Sequence, residues 1–369
     1  MKVSIIGSRG YPSHYGGFET FVKELSERLV TMDIQVTIYC HRKLFDSKPK
    51  RLNKIDLVYV PSIETKILSQ LTNSFLSVIH ACFSKSDVIV MLNSANGPLG
   101  VFTKVFGKKT IINVDGIEWE RPKWKGLGSK YFYMASWLAT KLYDTIVTDS
   151  SEMREVYLRH FNCDSKVIAY GANVRSSKDP ELIFKWNLNS NDYYLIVGRL
   201  IPDNNADIII EGYLRSFTKK KLVIIGDVLY KDTYAKGLKE IGVNDDRIIF
   251  TGYISDQDEL AELYHHSYCY IHGHEYGGTN PAMLKALAYG CAILALDTRF
   301  NREMLQNGKY GNFFTKDSMA ISNEIDLMDN DSNQVQRLKN SSRNGLGERY
   351  QWDFIANQYF NLFKKSVKS

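Results

Sequence analysis

Two patterns alternate along the chain: short apolar runs of strand length, and longer stretches whose apolar residues return every three or four positions, as on one face of a helix. A first series of runs covers 2–7, 35–40, 57–61, 87–92, 110–114, 145–148 and 166–169. A second covers 193–198, 221–226, 247–251, 268–273 and 291–296, with helix patterns at 207–217, 258–267 and 281–289 between them. Strands alternating with amphipathic helices predict parallel sheets covered on both faces. Between the series, 171–190 is rich in Ser, Asn, Lys and Asp and has no strong period. The predicted architecture is α/β with two doubly wound, Rossmann-like domains: 1–172, a linker over 173–190, and 191–352. Ligands of such sheets bind beyond the carboxyl ends of the strands, so the strand-to-helix loops of two such domains are expected to face a central cleft.

The first of those loops carries Tyr15-Gly16-Gly17-Phe18-Glu19-Thr20, ahead of a helix pattern over 18–30. Adjacent glycines let a backbone approach a ligand closely, and the unpaired N–H groups of a helix's first turn favour an anion. That reading is a phosphate site; the same glycines also suit a plain turn.

At 369 residues, with 44% apolar and 24% charged positions, the chain suits a globular protein of two domains. Cys40, Cys82, Cys163, Cys269 and Cys291 are odd in number and scattered, which suggests neither a disulfide framework nor a thiolate zinc site and fits a cytoplasmic protein. No apolar run at the start matches a signal peptide, and none reaches membrane-spanning length. The net charge of +6 is uneven: residues 1–170 hold +7 and the remainder −1. Basic residues at Lys104, Lys108, Lys109, Arg121, Lys123, Lys125 and Lys130 interleave with Phe102, Phe106, Trp119, Trp124 and Trp137. This mixture suits an anionic membrane surface, and equally an ordinary charged exterior over an aromatic core. No recognised nucleic-acid motif accompanies it, so nucleic acid is not an expected partner.

The second half repeats the loop chemistry of the opening, with Val197-Gly198-Arg199-Leu200, Asp203-Asn204-Asn205, Thr251-Gly252-Tyr253 and His274-Glu275-Tyr276-Gly277-Gly278-Thr279-Asn280-Pro281. With the opening GSRGYPSHYGGFETFVKELS and the segment NVDGIEWERPKW, these motifs in order resemble GT-B glycosyltransferases of family 4, in particular the bacterial rhamnosyltransferase-like branch of surface polysaccharide biosynthesis. The resemblance spans nearly the whole chain and includes a terminal helix, about 353–369, that returns to the first domain. It implies a Leloir-type hexosyltransferase that transfers a sugar, rhamnose in that branch, from a dTDP- or UDP-linked donor to a lipid-linked saccharide. Capsule, O-antigen or exopolysaccharide assembly is the implied setting. The reaction would retain anomeric configuration without a cofactor or obligatory metal, in the cytoplasm or peripherally on the inner membrane face.

By the same resemblance, the donor is held by Arg199, Asn204, Tyr253, Glu275, Gly277, Gly278, Thr279, Asn280 and Lys285, with Gly16 and Gly17 at its phosphates. Arg199 offers a bidentate fork to a diphosphate and offsets charge on the leaving group. Tyr253 stands where relatives bring a loop against the base, or else is a buried aromatic. Asp115, at the end of a strand, is the first catalytic candidate and Glu118 the second; either could instead pair with Arg121 or Lys123. Asn93, Ser94 and Asn96 are expected on the acceptor side.

Two departures stand out. Asn204 replaces a frequent Lys, and Lys285 stands where the second glutamate of the E-x7-E pattern contacts the ribose, a bond an ammonium cannot accept. They support an alternative, a non-catalytic GT-B subunit that binds nucleotide or a partner transferase. A dinucleotide oxidoreductase is disfavoured, because Gly7-Ser8-Arg9-Gly10 is not G-x-G-x-x-G and Tyr39-Cys40-His41 lacks a ribose-binding carboxylate. His272 and His274 lie two apart on one strand but lack further metal-ligand spacing, so hydrogen bonds to sugar or phosphate are the expected use.

Overall fold

The computed structural model describes residues 1–12, 16–63, 65, 68–124, 126–228, 232–242 and 244–368. Tyr15 and Lys125 lie outside them. The chain forms two units, Met1–Gly171 with Arg349–Ser369, and Ala172–Glu348.

The first unit is an eight-stranded sheet in the order β3-β4-β2-β1-β5-β6-β7-β8. Its strands are β1 (Lys2–Ile6), β2 (Gln35–His41), β3 (Arg51–Leu52), β4 (Ile55–Val60), β5 (Val88–Leu92), β6 (Lys109–Val114), β7 (Thr145–Thr148) and β8 (Lys166–Val167). All pairings are parallel except the short β3 with β4. β5 reads Val-Ile-Val-Met-Leu and is buried at every position, because a parallel strand has helices over both faces. The helices are α1 (Gly17–Thr31), α2 (Leu68–Phe83), α3 (Gly100–Val105), α4 (Leu127–Leu142) and α5 (Ser151–Phe161). In α1 the apolar stripe Phe21, Val22, Leu25 and Leu29 goes into the core.

The second unit is a six-stranded parallel sheet in the order β11-β10-β9-β12-β13-β14. It comprises β9 (Tyr193–Val197), β10 (Lys221–Ile225), β11 (Ile248–Gly252), β12 (Cys269–His272), β13 (Ile293–Leu296) and β14 (Asn312–Phe314). Around it run α6 (Ala206–Arg215), α7 (Thr233–Gly242), α8 (Gln257–His265), α9 (Pro281–Tyr289), α10 (Arg299–Met304), α11 (Ser318–Asn330) and α12 (Ser332–Ser342). Ile209, Ile210 and Tyr213 of α6 pack with Ile224 of β10 and with Ile321 and Ile325 of α11 in one core. A Cβ on Gly226, at φ +134°, would overlap the Gly198 carbonyl, so a glycine is needed where the loops after β9 and β10 touch.

The final helix, α13 (Trp352–Lys368), belongs to the first unit. Its Tyr359 ring packs on Phe21 of α1 with centroids 5.5 Å apart, and Asn113 Nδ2 of β6 donates to the Tyr359 hydroxyl at 2.8 Å.

The 173–190 stretch, expected as a linker, contains structure of its own: Pro180–Trp186 forms a 3-10 helix whose Ile183 is buried, with Trp186 Nε1 donating to Glu259 of α8 at 2.8 Å. β3 and β14, two and three residues long, were too short to show a period. From the basic-aromatic segment, Trp119 and Arg121 are buried, Trp119 against Tyr133, Tyr157 and Phe161. Among the described residues, no helix is long and apolar enough to cross a membrane.

Candidate active site

In the second sheet the chain runs outward in opposite directions from β9 and β12, and the loops leaving such a pair of strands form a ready ligand crevice. Arg199 follows β9 and His274 follows β12. Both are tied to Asn204. Its Nδ2 donates to the Arg199 carbonyl at 2.7 Å, and its Oδ1 lies 2.8 Å from His274 Nδ1. The second ring nitrogen, His274 Nε2, faces the Tyr276 carbonyl at 2.9 Å. Asn205, in the left-handed conformation at φ 51°, donates to the Gly273 carbonyl at 2.8 Å. A side chain on Gly273 would overlap the Asn204 carbonyl, so this contact also selects glycine. Asn301 of α10 donates to the carbonyls of Leu296 and His274 at 2.8 and 3.1 Å.

These bonds fix the backbone around Arg199 but leave its guanidinium exposed, and among the described residues nothing partners it. Asn204 is thus occupied in shaping the loop. Neither Asn205 nor Asn301 stands out in the sequence as a brace; the only local signal is the Asn-rich turn in which Asn205 takes its left-handed conformation.

The rest of the predicted donor set is dispersed along the same edge. Gly277 has φ +148° and Thr279 is buried. Asn280 caps α9, its side chain accepting from Ala282 N at 2.9 Å, with Pro281 in the first turn. Glu275 pairs with Lys316 at 2.5 Å, a partner the sequence did not indicate. Tyr253 is half-exposed, which removes the buried-aromatic alternative. Lys285 Nζ meets the side-chain oxygen of Gln257 at 3.2 Å, and no carboxylate pairs with it among the described residues. Burial, then the neighbouring Arg175 guanidinium, holds this amine below the ordinary lysine range. His272 is buried with Nδ1 against the Tyr270 hydroxyl at 2.9 Å, and burial pushes it down to about 3, so the ring is neutral. Among the described residues, no group of three or more His, Cys, Asp or Glu is placed to hold a metal.

In the first unit, Asp115 follows β6. The Tyr170 hydroxyl lies 3.3 Å from Asp115 Oδ2 and 3.1 Å from Asn113 Oδ1. Burial pushes the Asp115 carboxyl up to about 6, against the pull of Arg121 and with a push from Glu118. Glu118 is different. It is buried in an ion pair with Arg121 at 3.0 Å, with Lys123 at 3.4 Å, and accepts from Trp124 Nε1 at 2.9 Å. Burial raises it, but these partners together hold it below the usual carboxylate range. Its oxygens are engaged in these bonds, the ion-pair alternative that the sequence left open for it.

The glycine pair and the acceptor-side trio also have local duties. Gly16, at φ 122°, caps α1, and Glu19 folds back over it to accept the Arg9 N–H at 3.1 Å. The first turn of α1 therefore carries its own carboxylate beside Gly16, where a bound phosphate was expected. Asn93 accepts from Ala95 N at 2.9 Å, Asn96 Nδ2 donates to the Leu92 carbonyl at 2.7 Å, and Ser94 is buried. These are turn-forming contacts at the end of β5.

Residues 178–345 match the family Glycosyl transferases group 1, and residues 1–173 match a domain of unknown function, DUF1972. An uncharacterized glycosyltransferase of Methanocaldococcus jannaschii is 23% identical over 254 residues, with 65% of each chain covered. The N-acetylgalactosamine-N,N'-diacetylbacillosaminyl-diphospho-undecaprenol 4-alpha-N-acetylgalactosaminyltransferase of Campylobacter jejuni is 24% identical over 235 residues, 60% of each. The chain thus spans less than two-thirds of the length of either relative. Among solved structures, the sucrose-phosphate synthase of Thermosynechococcus elongatus superposes with a TM-score of 0.83 at 15% identity, covering 99% of this chain and 98% of that one. Anabaena HepE in complex with UDP-glucose does so with 0.78 at 14%, covering 99% and 100%. The fold is that of the GT-B glycosyltransferases.

Proposed function

We propose that this chain, which has the GT-B fold and carries a Glycosyl transferases group 1 domain in its second unit, transfers a sugar from a nucleoside diphosphate donor to a lipid-linked saccharide. The observation that carries the reading is the braced Arg199: a guanidinium that nothing partners among the described residues, on a loop pinned by Asn204, His274 and Asn205 beside the strands where the sheet reverses. In transfer, the bond from the anomeric carbon to the diphosphate breaks and a bond to the acceptor hydroxyl forms. Arg199 offsets the charge arriving on the leaving phosphate. On the first unit, Asp115 is the carboxylate assigned to the acceptor hydroxyl, since a group near 6 can take a proton at neutral pH.

The nucleotide part is supported by the UDP-glucose complex of HepE, and the acceptor class by the undecaprenol-linked acceptor in the name of the C. jejuni relative. Rhamnose as the sugar, dTDP or UDP as its carrier, and retention without an obligatory metal are proposed on the resemblance of the motifs. A place in capsule, O-antigen or exopolysaccharide assembly at the inner membrane face rests on the same ground. One observation favours a second reading, a non-catalytic subunit: the Lys285 ammonium stands beside Arg175 with no carboxylate partner among the described residues. Incubating the protein with a panel of nucleotide sugars and a lipid-linked acceptor separates the two. Release of a nucleoside diphosphate with a lengthened saccharide supports transfer, and nucleotide binding without release in every combination supports the subunit.

A further inference from the structure

Exposed apolar side chains of the first unit gather on three adjoining helices. Phe75 of α2 meets Phe102 of α3 with ring centroids 5.4 Å apart, and Phe83 at the end of α2 meets Phe106 just past α3 at 4.9 Å. Lys104 Nζ of α3 donates to the Lys141 carbonyl of α4 at 3.2 Å, and Gly100 lies so close to Leu142 that a side chain there would collide. α2, α3 and α4 therefore form one continuous layer. Outward from it stand Phe83 and Val105, 75% and 77% exposed, with Met134 and Trp137 both at 45%. Scattered single apolar residues on a surface are normal; several large ones on adjoining helices mark an interaction site.

The charges name the partner. None of the three helices contains an Asp or Glu, while Lys104, Lys130 and Lys141 lie on them; Lys85, Lys108 and Lys109 lie at their ends, against Asp87 and Asp144 there. Phe, Val, Met and Trp tips within a fringe where lysines outnumber carboxylates match the boundary between acyl chains and anionic headgroups: apolar groups enter, ammonium groups stay with the phosphates. We propose that this face docks the protein on a bilayer containing anionic phospholipid. The inference deepens the reading of a lipid-linked acceptor, because such a substrate never leaves the membrane plane.

Purified full-length protein is sedimented with vesicles of phosphatidylcholine alone and of phosphatidylcholine with phosphatidylglycerol. Wild type is expected to partition at least tenfold more strongly to the anionic vesicles, with the difference shrinking as salt is raised. Two variant sets test the two chemistries, Phe83→Ser with Val105→Ser, and Lys130→Gln with Lys141→Gln. The apolar set should lose about tenfold in partitioning and the lysine set about 25-fold, a lysine near such a surface being worth about fivefold. These side chains are exposed, so unfolding midpoints should not move. The proposal is overturned if wild type ignores the anionic lipid, if both sets bind like wild type, or if wild type is a dimer that the substitutions dissociate. Calorimetry with UDP and dTDP on wild type keeps the claims apart: wild type that binds a nucleotide but no vesicle contradicts docking alone, and wild type that binds anionic vesicles but neither nucleotide contradicts transfer alone.

Discussion

The side-chain oxygen of Asn204 lies 2.8 Å from Nδ1 of His274, while the amide nitrogen of the same side chain is committed to the Arg199 carbonyl at 2.7 Å. One side chain thereby couples the loops after two neighbouring strands of the second sheet. His274→Ala removes the tether from one end and should weaken nucleoside diphosphate binding about tenfold without changing the fold. Nucleotide titration beside a far-ultraviolet dichroism spectrum checks this.

Arg199 itself should matter more for turnover than for the fold. Arg199→Ala is expected to lower kcat by roughly 10²–10³, the usual effect of removing one preorganised group from developing charge. Arg199→Lys should recover little, since an ammonium lacks the planar fork. Steady-state rates of the two variants decide it.

Asp115 links stability to pH. In the unfolded chain its carboxyl ionises near 3.8 and in the folded protein near 6, so between those values the folded state holds the extra proton. Its contribution to stability therefore declines as pH rises through that window, and by pH 7 the cost is about 3 kcal/mol. Asp115→Asn should stabilise the first unit at pH 7, by at most about that amount, and the gain should vanish below pH 4. Transfer should fall sharply in the same variant, and in wild type should rise with pH through about 6. Thermal melts and rates measured across pH check both signs.

Glu118 should behave in the opposite way. Glu118→Ala leaves Arg121 buried without its carboxylate, which costs about 3–5 kcal/mol. Glu118→Gln keeps the shape and an acceptor for Trp124 Nε1, and should lose less. Activity is expected to follow the folded fraction in both variants, as chemical unfolding monitored beside the transfer assay would reveal.

Much of this was legible in the chain. Strands such as Val88–Leu92 and Ile293–Leu296 are unbroken apolar runs, and α9 is bracketed by Asn280-Pro281 and a left-handed Gly290, so both types of element declared themselves locally. Arg199 was legible because Gly198 precedes it at a strand end. Glu118 and Asp115, three residues apart and chemically alike, were not separable: only the folded positions of Arg121, Lys123 and Trp124 around one and Tyr170 near the other give them opposite shifts. Likewise Glu19 reads in sequence as a helix-start acid, and its turn back over Gly16 becomes visible only in three dimensions.

If the loop holding Arg199 binds a diphosphate, calorimetric titration of UDP, dTDP and UMP into wild type and Arg199→Ala will show it. Wild type should bind at least one diphosphate ten times or more tighter than UMP, and the variant should lose this preference. Equal affinities for UDP, dTDP and UMP in wild type, or a preference unchanged in the variant, would contradict it.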